Sequence, residues 1–218
     1  MNFKYYDTLS MLVCGVVMVF AVSLLFGWDI SQINTVGQLA IAYVAGYLLN
    51  AVGSLLEPIY FWFMGGRPSS ELLKAPGPAK CGEQRTYTGL RRIRFYEYER
   101  VISLLKDELK DNDADERKMF ERAKSYSNSD ETTRVPDFNA QYAFSRVVLT
   151  LALVSACLVV TKYYDILWVW GIAVVGVLLT GRRCKERAYY YAREVLSEYL
   201  KLNQFSSNPR KEAKRKDS

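Results

Sequence analysis

A chain of 218 residues with a formal net charge of +6, no histidine and four cysteines has room for one or two domains. The absence of histidine removes the commonest metal ligand and general base, no two cysteines form C-x-x-C, and no phosphate-loop, G-x-S-x-G, H-E-x-x-H or dinucleotide fingerprint is present. The chain therefore reads as non-enzymatic, with no metal site and no cofactor. Its mean hydropathy of −0.06 hides a strong segregation of apolar blocks from charged ones.

Four apolar blocks approach or reach the roughly 20 residues that a bilayer crossing needs: Leu9–Trp28, Val36–Leu56 (running on to Met64), Tyr142–Val160 and Tyr163–Thr180. The first follows an aromatic leader, MNFKYYDTLS. It is longer than a signal-peptide apolar region and lacks an A-x-A-like site, so a retained anchor is expected. Asp29–Thr35 then makes a short polar turn, and spans one and two form an antiparallel hairpin.

Span two carries a stripe. At 100° per residue, Ala42, Gly46, Asn50, Gly53 and Glu57 fall within an arc of about 80°, while the remaining surface is Leu, Val, Ile, Tyr and Phe. Small residues let helix backbones approach in lipid, and a buried amide finds a partner across the contact. This segment therefore reads as the helix the others pack around. Asn50 lies about 21 Å beyond Val36, inside a hydrocarbon core of about 30 Å, and Glu57 lies near its far face. A polar group at that depth marks either interhelical packing or a functional path. Pro58 is expected to bend the helix just after Glu57.

Gly65 and Gly66 with the run RPSSELLKAPGPAKCGEQ read as an irregular connection. Helices are expected over Arg85–Leu109 and Ala114–Tyr126, the latter capped by Asp113 or Asp115. Within the former, GLRRIRFYEYER is basic and aromatic, and fits either a small anionic ligand such as a nucleotide or a solvated helix of alternating charge. Pro136 closes the next loop, and Asp137 caps a helix from Phe138 that enters the membrane past Arg146. That arginine either snorkels to the headgroups or pairs with Glu57, locking spans two and three. Beyond span four, Ala188, Tyr191, Ala192, Val195, Tyr199 and Leu202 recur at helical spacing. The fourth span is thus expected to run about 20 residues further and to pack on the middle helices or on its own copy. A basic tail follows, suited to anionic lipid rather than to nucleic acid.

Charge placement sets orientation. Arg67–Arg134 holds 15 Lys and Arg, the part from Arg182 onward holds 11, and Lys162 alone falls in a turn assigned outside. By the positive-inside rule both termini and the middle segment are cytoplasmic, as in a bacterial-type inner membrane. The organisation expected is an all-α integral membrane protein: a transmembrane hairpin over residues 1–66, a cytoplasmic helical insertion over 67–137, a second hairpin over 138–181, a helix continuing span four over 182–205, and a disordered tail over 206–218. The leading functional expectation is a homo-oligomer whose cytoplasmic helices sense or dock a signal and whose spans respond, as a small channel or a membrane-disrupting effector of bacterial antiviral defence. The alternative is an anchor or adaptor for a cytoplasmic protein partner. A transporter or membrane enzyme ranks third.

Overall fold

The computed structural model describes residues 3–63, 65–73, 97–111, 113–127 and 133–206. Their regular structure is entirely helical: α1 Phe3–Phe26, a 3₁₀ turn Ile30–Gln32, α2 Thr35–Phe63, α3 Pro68–Leu73, α4 Tyr98–Leu109, α5 Glu116–Ser127, α6 Val135–Lys162 and α7 Leu167–Ser206. Three of these, α2, α6 and α7, are long and apolar enough to cross a membrane by length and composition, whereas the apolar helix over Ser10–Phe26 is shorter. Two compact units result, Met1–Gly65 with Asn139–Arg187 and Gly66–Phe138 with Ala188–Ser218.

In the first unit, α1 and α2 meet backbone to backbone. A Cβ added at Gly15 would collide with the Ala42 carbonyl, and one added at Gly46 would collide with the Met11 carbonyl. Only small residues permit so close a crossing. Cys14 of α1, Leu49 of α2 and Val147 of α6 form one buried cluster, and Tyr60, Leu149 and Cys184 join α2, α6 and α7 in another. The helix most covered by its neighbours is α6, not α2. Among the described residues α6 exposes no large apolar side chain, whereas α2 exposes Val36, Val44, Tyr47, Leu48, Leu55, Trp62 and others. Helix α2 also continues through Pro58 to Phe63, and only the one i−4 bond is forgone.

The second unit is built on the last part of α7. Ala188, Tyr189, Ala192, Val195, Leu196, Tyr199 and Leu200 are buried there, as are Leu72 and Leu73 of α3, Val101 and Leu105 of α4, and Met119 and Ala123 of α5. Helix α3 falls where an irregular connection was expected. Pro68 stands at its first position, where a missing N–H costs nothing, and Leu72 and Leu73 supply its buried end. The same logic moves the start of α6 from Phe138 back to Val135: Pro136 sits in the first turn, and Arg134 rather than Asp137 precedes the helix, its carbonyl accepting from Asp137 and Phe138 N–H at 3.1 and 3.3 Å. Of the helix expected over Arg85–Leu109, residues 85–96 lie outside the described residues, as do Cys81, most of GLRRIRFYEYER and the tail from 207.

Gly46→Leu and Gly15→Leu should each lower the melting temperature in detergent by roughly 4–10 °C through overpacking. Gly171 and Gly176, whose added Cβ would meet nothing within 4 Å, serve as controls, and Gly176→Leu should melt like the parent.

Candidate functional site

Where α2 passes α6, the sequence sets an arginine among apolar residues. A guanidinium carries five N–H donors and no acceptor, so the apolar surroundings must provide it with acceptors. Its Nη1 donates to Glu57 Oε2 at 2.5 Å and its Nη2 to Asn50 Oδ1 at 3.3 Å. The guanidinium carbon lies 5.8 Å from the centre of the Tyr142 ring, within cation–π range. The side chains of Arg146 and Glu57 retain 15% and 30% exposure, so the charges are covered without being sealed. Arg146 Nε is buried with no hydrogen-bond partner among the described residues.

Close approach makes this contact possible. A Cβ at Gly53 would stand 2.7 Å from Thr150 Oγ1 and 3.4 Å from Arg146 Cγ. The Thr150 hydroxyl donates to the Arg146 carbonyl at 3.0 Å. Its single proton is thereby spent, so in the 3.1 Å pair with Tyr60 the phenol is the donor. The stripe on α2 is therefore divided between two neighbours: Ala42 and Gly46 face α1, while Gly53, Asn50 and Glu57 face α6. Thr150, Tyr60 and Tyr142 were not singled out from the sequence. Their signal was spacing, since Tyr142, Arg146 and Thr150 recur every four residues on one face of α6.

In the second unit, Tyr191, Ala192, Val195 and Tyr199 pack inside the chain, with Phe120 against Tyr191 (ring centres 6.4 Å) and Tyr126 against Tyr199 (5.6 Å). Ala188 is buried as well, while Leu202 is half-buried. The Ser127 hydroxyl lies 2.9 Å from the Val195 carbonyl. Tyr199 donates to Glu108 Oε2 at 2.7 Å, and Glu108 Oε1 accepts from Arg122. Burial, followed by the Glu108 carboxylate, pushes the Tyr199 phenol above its ordinary range, so it remains the donor at neutral pH. Tyr189, Leu196 and Leu200 went unread because each lies next to a position already in the stripe and only widens it.

Among the described residues no group of three His, Cys, Asp or Glu is placed to hold a metal ion. Cys14 and Cys184 are buried free thiols, and Cys157 is an exposed one. Comparison of the chain with family models, with curated proteins and with solved structures finds no match.

The arrangement around Arg146 ties α2 to α6. Glu57→Gln and Arg146→Gln should each cost about 1–3 kcal/mol, less than a fully buried pair because Glu57 is partly exposed. The double variant should cost less than the two together by at least about 1 kcal/mol. Thermal scans of the four proteins measure this; additivity within about 0.5 kcal/mol would show the two groups to be uncoupled.

Proposed function

We propose that this chain is a non-enzymatic membrane anchor that presents a helical module to a cytoplasmic protein partner. In this reading α1, α2, α6 and α7 cross the bilayer as two hairpins, and both termini and the second unit lie on the cytoplasmic side of a bacterial-type inner membrane. The observation that carries it is the division of exposed surface. Every exposed large apolar side chain of the described residues lies between Val13 and Phe63 or between Tyr163 and Leu179, all in the first unit. In the second unit the outward positions of α5 include Arg117, Lys118, Glu121 and Lys124, a water-facing surface that suits a protein partner better than lipid. Helix α1 joins as a fourth span because its 24 residues reach about 36 Å and its backbone is pressed on α2. Orientation rests on the Lys and Arg flanking the spans.

The anchor is preferred over the channel because the small-polar stripe that motivated a pore is occupied within the chain by α1 and α6. A homo-oligomeric sensor or effector remains the second reading, favoured by one observation: an apolar groove of about 410 Å³ between α6 and α7, lined by Ala152, Ala156, Ala173 and Gly176 among others. Its small side chains offer close approach to a neighbouring helix.

Two experiments test these readings. In a cysteine-free background, an impermeant thiol reagent applied to intact cells should label Gln32→Cys, whereas Lys118→Cys should require permeabilisation; labelling of both positions from one side overturns the topology. Affinity purification of the full chain in mild detergent should recover a stoichiometric partner that is lost on reversing Arg117, Lys118 and Lys124 to Glu. Recovery of a pure homo-oligomer that conducts ions in liposomes would favour the effector instead.

A further inference from the structure

Helices α1 and α2 touch backbone to backbone at Gly15, Ala42 and Gly46. On the loop side of that contact the lining residues are bulkier, Val16 and Phe20 on α1 and Leu39 on α2, and a cleft of about 470 Å³ opens. That volume falls within the range of small-ligand sites, about 300–1,000 Å³. On each helix the lining positions recur at three- and four-residue steps, Val16, Phe20 and Ser23 against Thr35, Leu39 and Ala42, so two apolar faces look into one space. Seven steps of helix separate Val16 from Ser23, about 10 Å, and the polar side chains gather at the loop end.

The connecting loop is pinned at that end. Gln38 donates through its amide nitrogen to the carbonyls of Ile30 and Ile33 at 3.0 and 2.9 Å. The Ser23 hydroxyl donates to the Trp28 carbonyl at 2.5 Å, and Asn34 Oδ1 accepts from the Gly37 N–H at 2.8 Å. These bonds hold the walls in place before anything binds, as ligand sites generally require. They also decide what is left to offer. Both amide hydrogens of Gln38 are spent, so its oxygen remains, and among the described residues nothing donates to it. The Thr35 hydroxyl and the Trp28 indole N–H, also on the lining, have no partner among the described residues either. Asp29 lines the same end but is already engaged within the chain; an acidic side chain there disfavours an anionic head. The mouth therefore presents an acceptor, a donor and a hydroxyl that can be either. An ammonium, which only donates, would leave the indole N–H unanswered, whereas a ligand hydroxyl both gives a proton and accepts one. The apolar faces behind suit an alkyl chain.

We propose that this cleft binds a single-chain, uncharged amphiphile with a hydroxylated head, of the monoacylglycerol class. Its hydroxyls meet Gln38, Thr35 and Trp28, and its chain lies along Val16, Phe20 and Leu39. Arrival of the ligand from the bilayer rests on α1 and α2 crossing it as proposed above; the recognition chemistry does not. Full-length protein in phosphatidylcholine nanodiscs is irradiated with monolauroylglycerol carrying a diazirine on its chain, and the labelled residues are read by peptide mass spectrometry. Saturable labelling is expected on the cleft-facing stretches of α1 and α2, competed by excess monolauroylglycerol but not by dodecyl sulfate or dodecyltrimethylammonium. Leu39→Trp, which fills the wall, should abolish the saturable component. The double variant Trp28→Phe, Thr35→Val should weaken binding about tenfold at an unchanged melting temperature, the loss of two hydrogen bonds. Labelling that never saturates and is spread equally over α6 and α7, equal competition by either charged amphiphile, or full affinity in the double variant would overturn the site. Because the discs expose both faces, a wrong orientation leaves the labelling intact, and the two ideas fail separately.

Discussion

The guanidinium of Arg146 is the constraint from which the rest of the first unit follows. That charged group sits on α6 with 16 further residues of the helix up to and including Lys162, about 24 Å of rise. In a hydrocarbon core of about 30 Å such a group must find a counter-charge within the protein or reach the headgroups. The carboxylate of Glu57 answers it, and Asn50 takes a second N–H. Both acceptors lie on α2, seven residues apart, so one side chain fixes the rotation of α2 about its axis and its register against α6. Gly53 lies between them on the same arc because any side chain there would push the two helices apart.

Fixing α2 in this way determines what is left for the other helices. One part of its small-residue arc is taken by α6, so the remainder, Ala42 and Gly46, is available to α1, which answers with a glycine of its own at Gly15. The clusters through Cys14, Leu49 and Val147 and through Tyr60, Leu149 and Cys184 then cover α6 from three sides. Dispersion and close packing hold these contacts, because lipid tails compete with any merely apolar attraction between helices.

This division explains which parts of the architecture the sequence displays and which it hides. The arc of Ala42, Gly46, Asn50, Gly53 and Glu57 is visible because small and polar residues stand out against a bulky apolar background. Arg146 is visible for the same reason. Helix α6 hides its position, since its residues beyond Thr150, as far as Val160, are apolar or small with no contrasting stripe. Thr150 and Tyr60 hide because a hydroxyl at the end of a hydrogen-bond chain looks like any other in an apolar run. Pro68 and Pro136 mislead in the same direction: each reads as a breaker from the sequence, yet the first turn of a helix is the one place where a proline's missing donor goes unused. The paired contacts of Tyr199 with Glu108 and of Ser127 with the Val195 carbonyl join residues more than 60 positions apart, and no local pattern reports such a meeting.

Helix α7 states the functional argument in one element. Up to Thr180 most of its large apolar side chains face outward, Val169 excepted, with Leu178 and Leu179 65% and 63% exposed; from Ala188 onward most face inward, with Leu196 and Leu200 0% and 1% exposed. The same residue type has opposite placement within five helical turns, so the solvent around the helix has to change along its length. The change coincides with Arg182 and Arg183, the residues that belong at a headgroup layer. A chain that only spanned lipid would have no need of the buried tyrosines and leucines beyond that point, and a soluble bundle would not tolerate the leucines before it. The proposed anchor accounts for both halves, a stretch apolar enough to cross a bilayer followed by one that is buried among other helices.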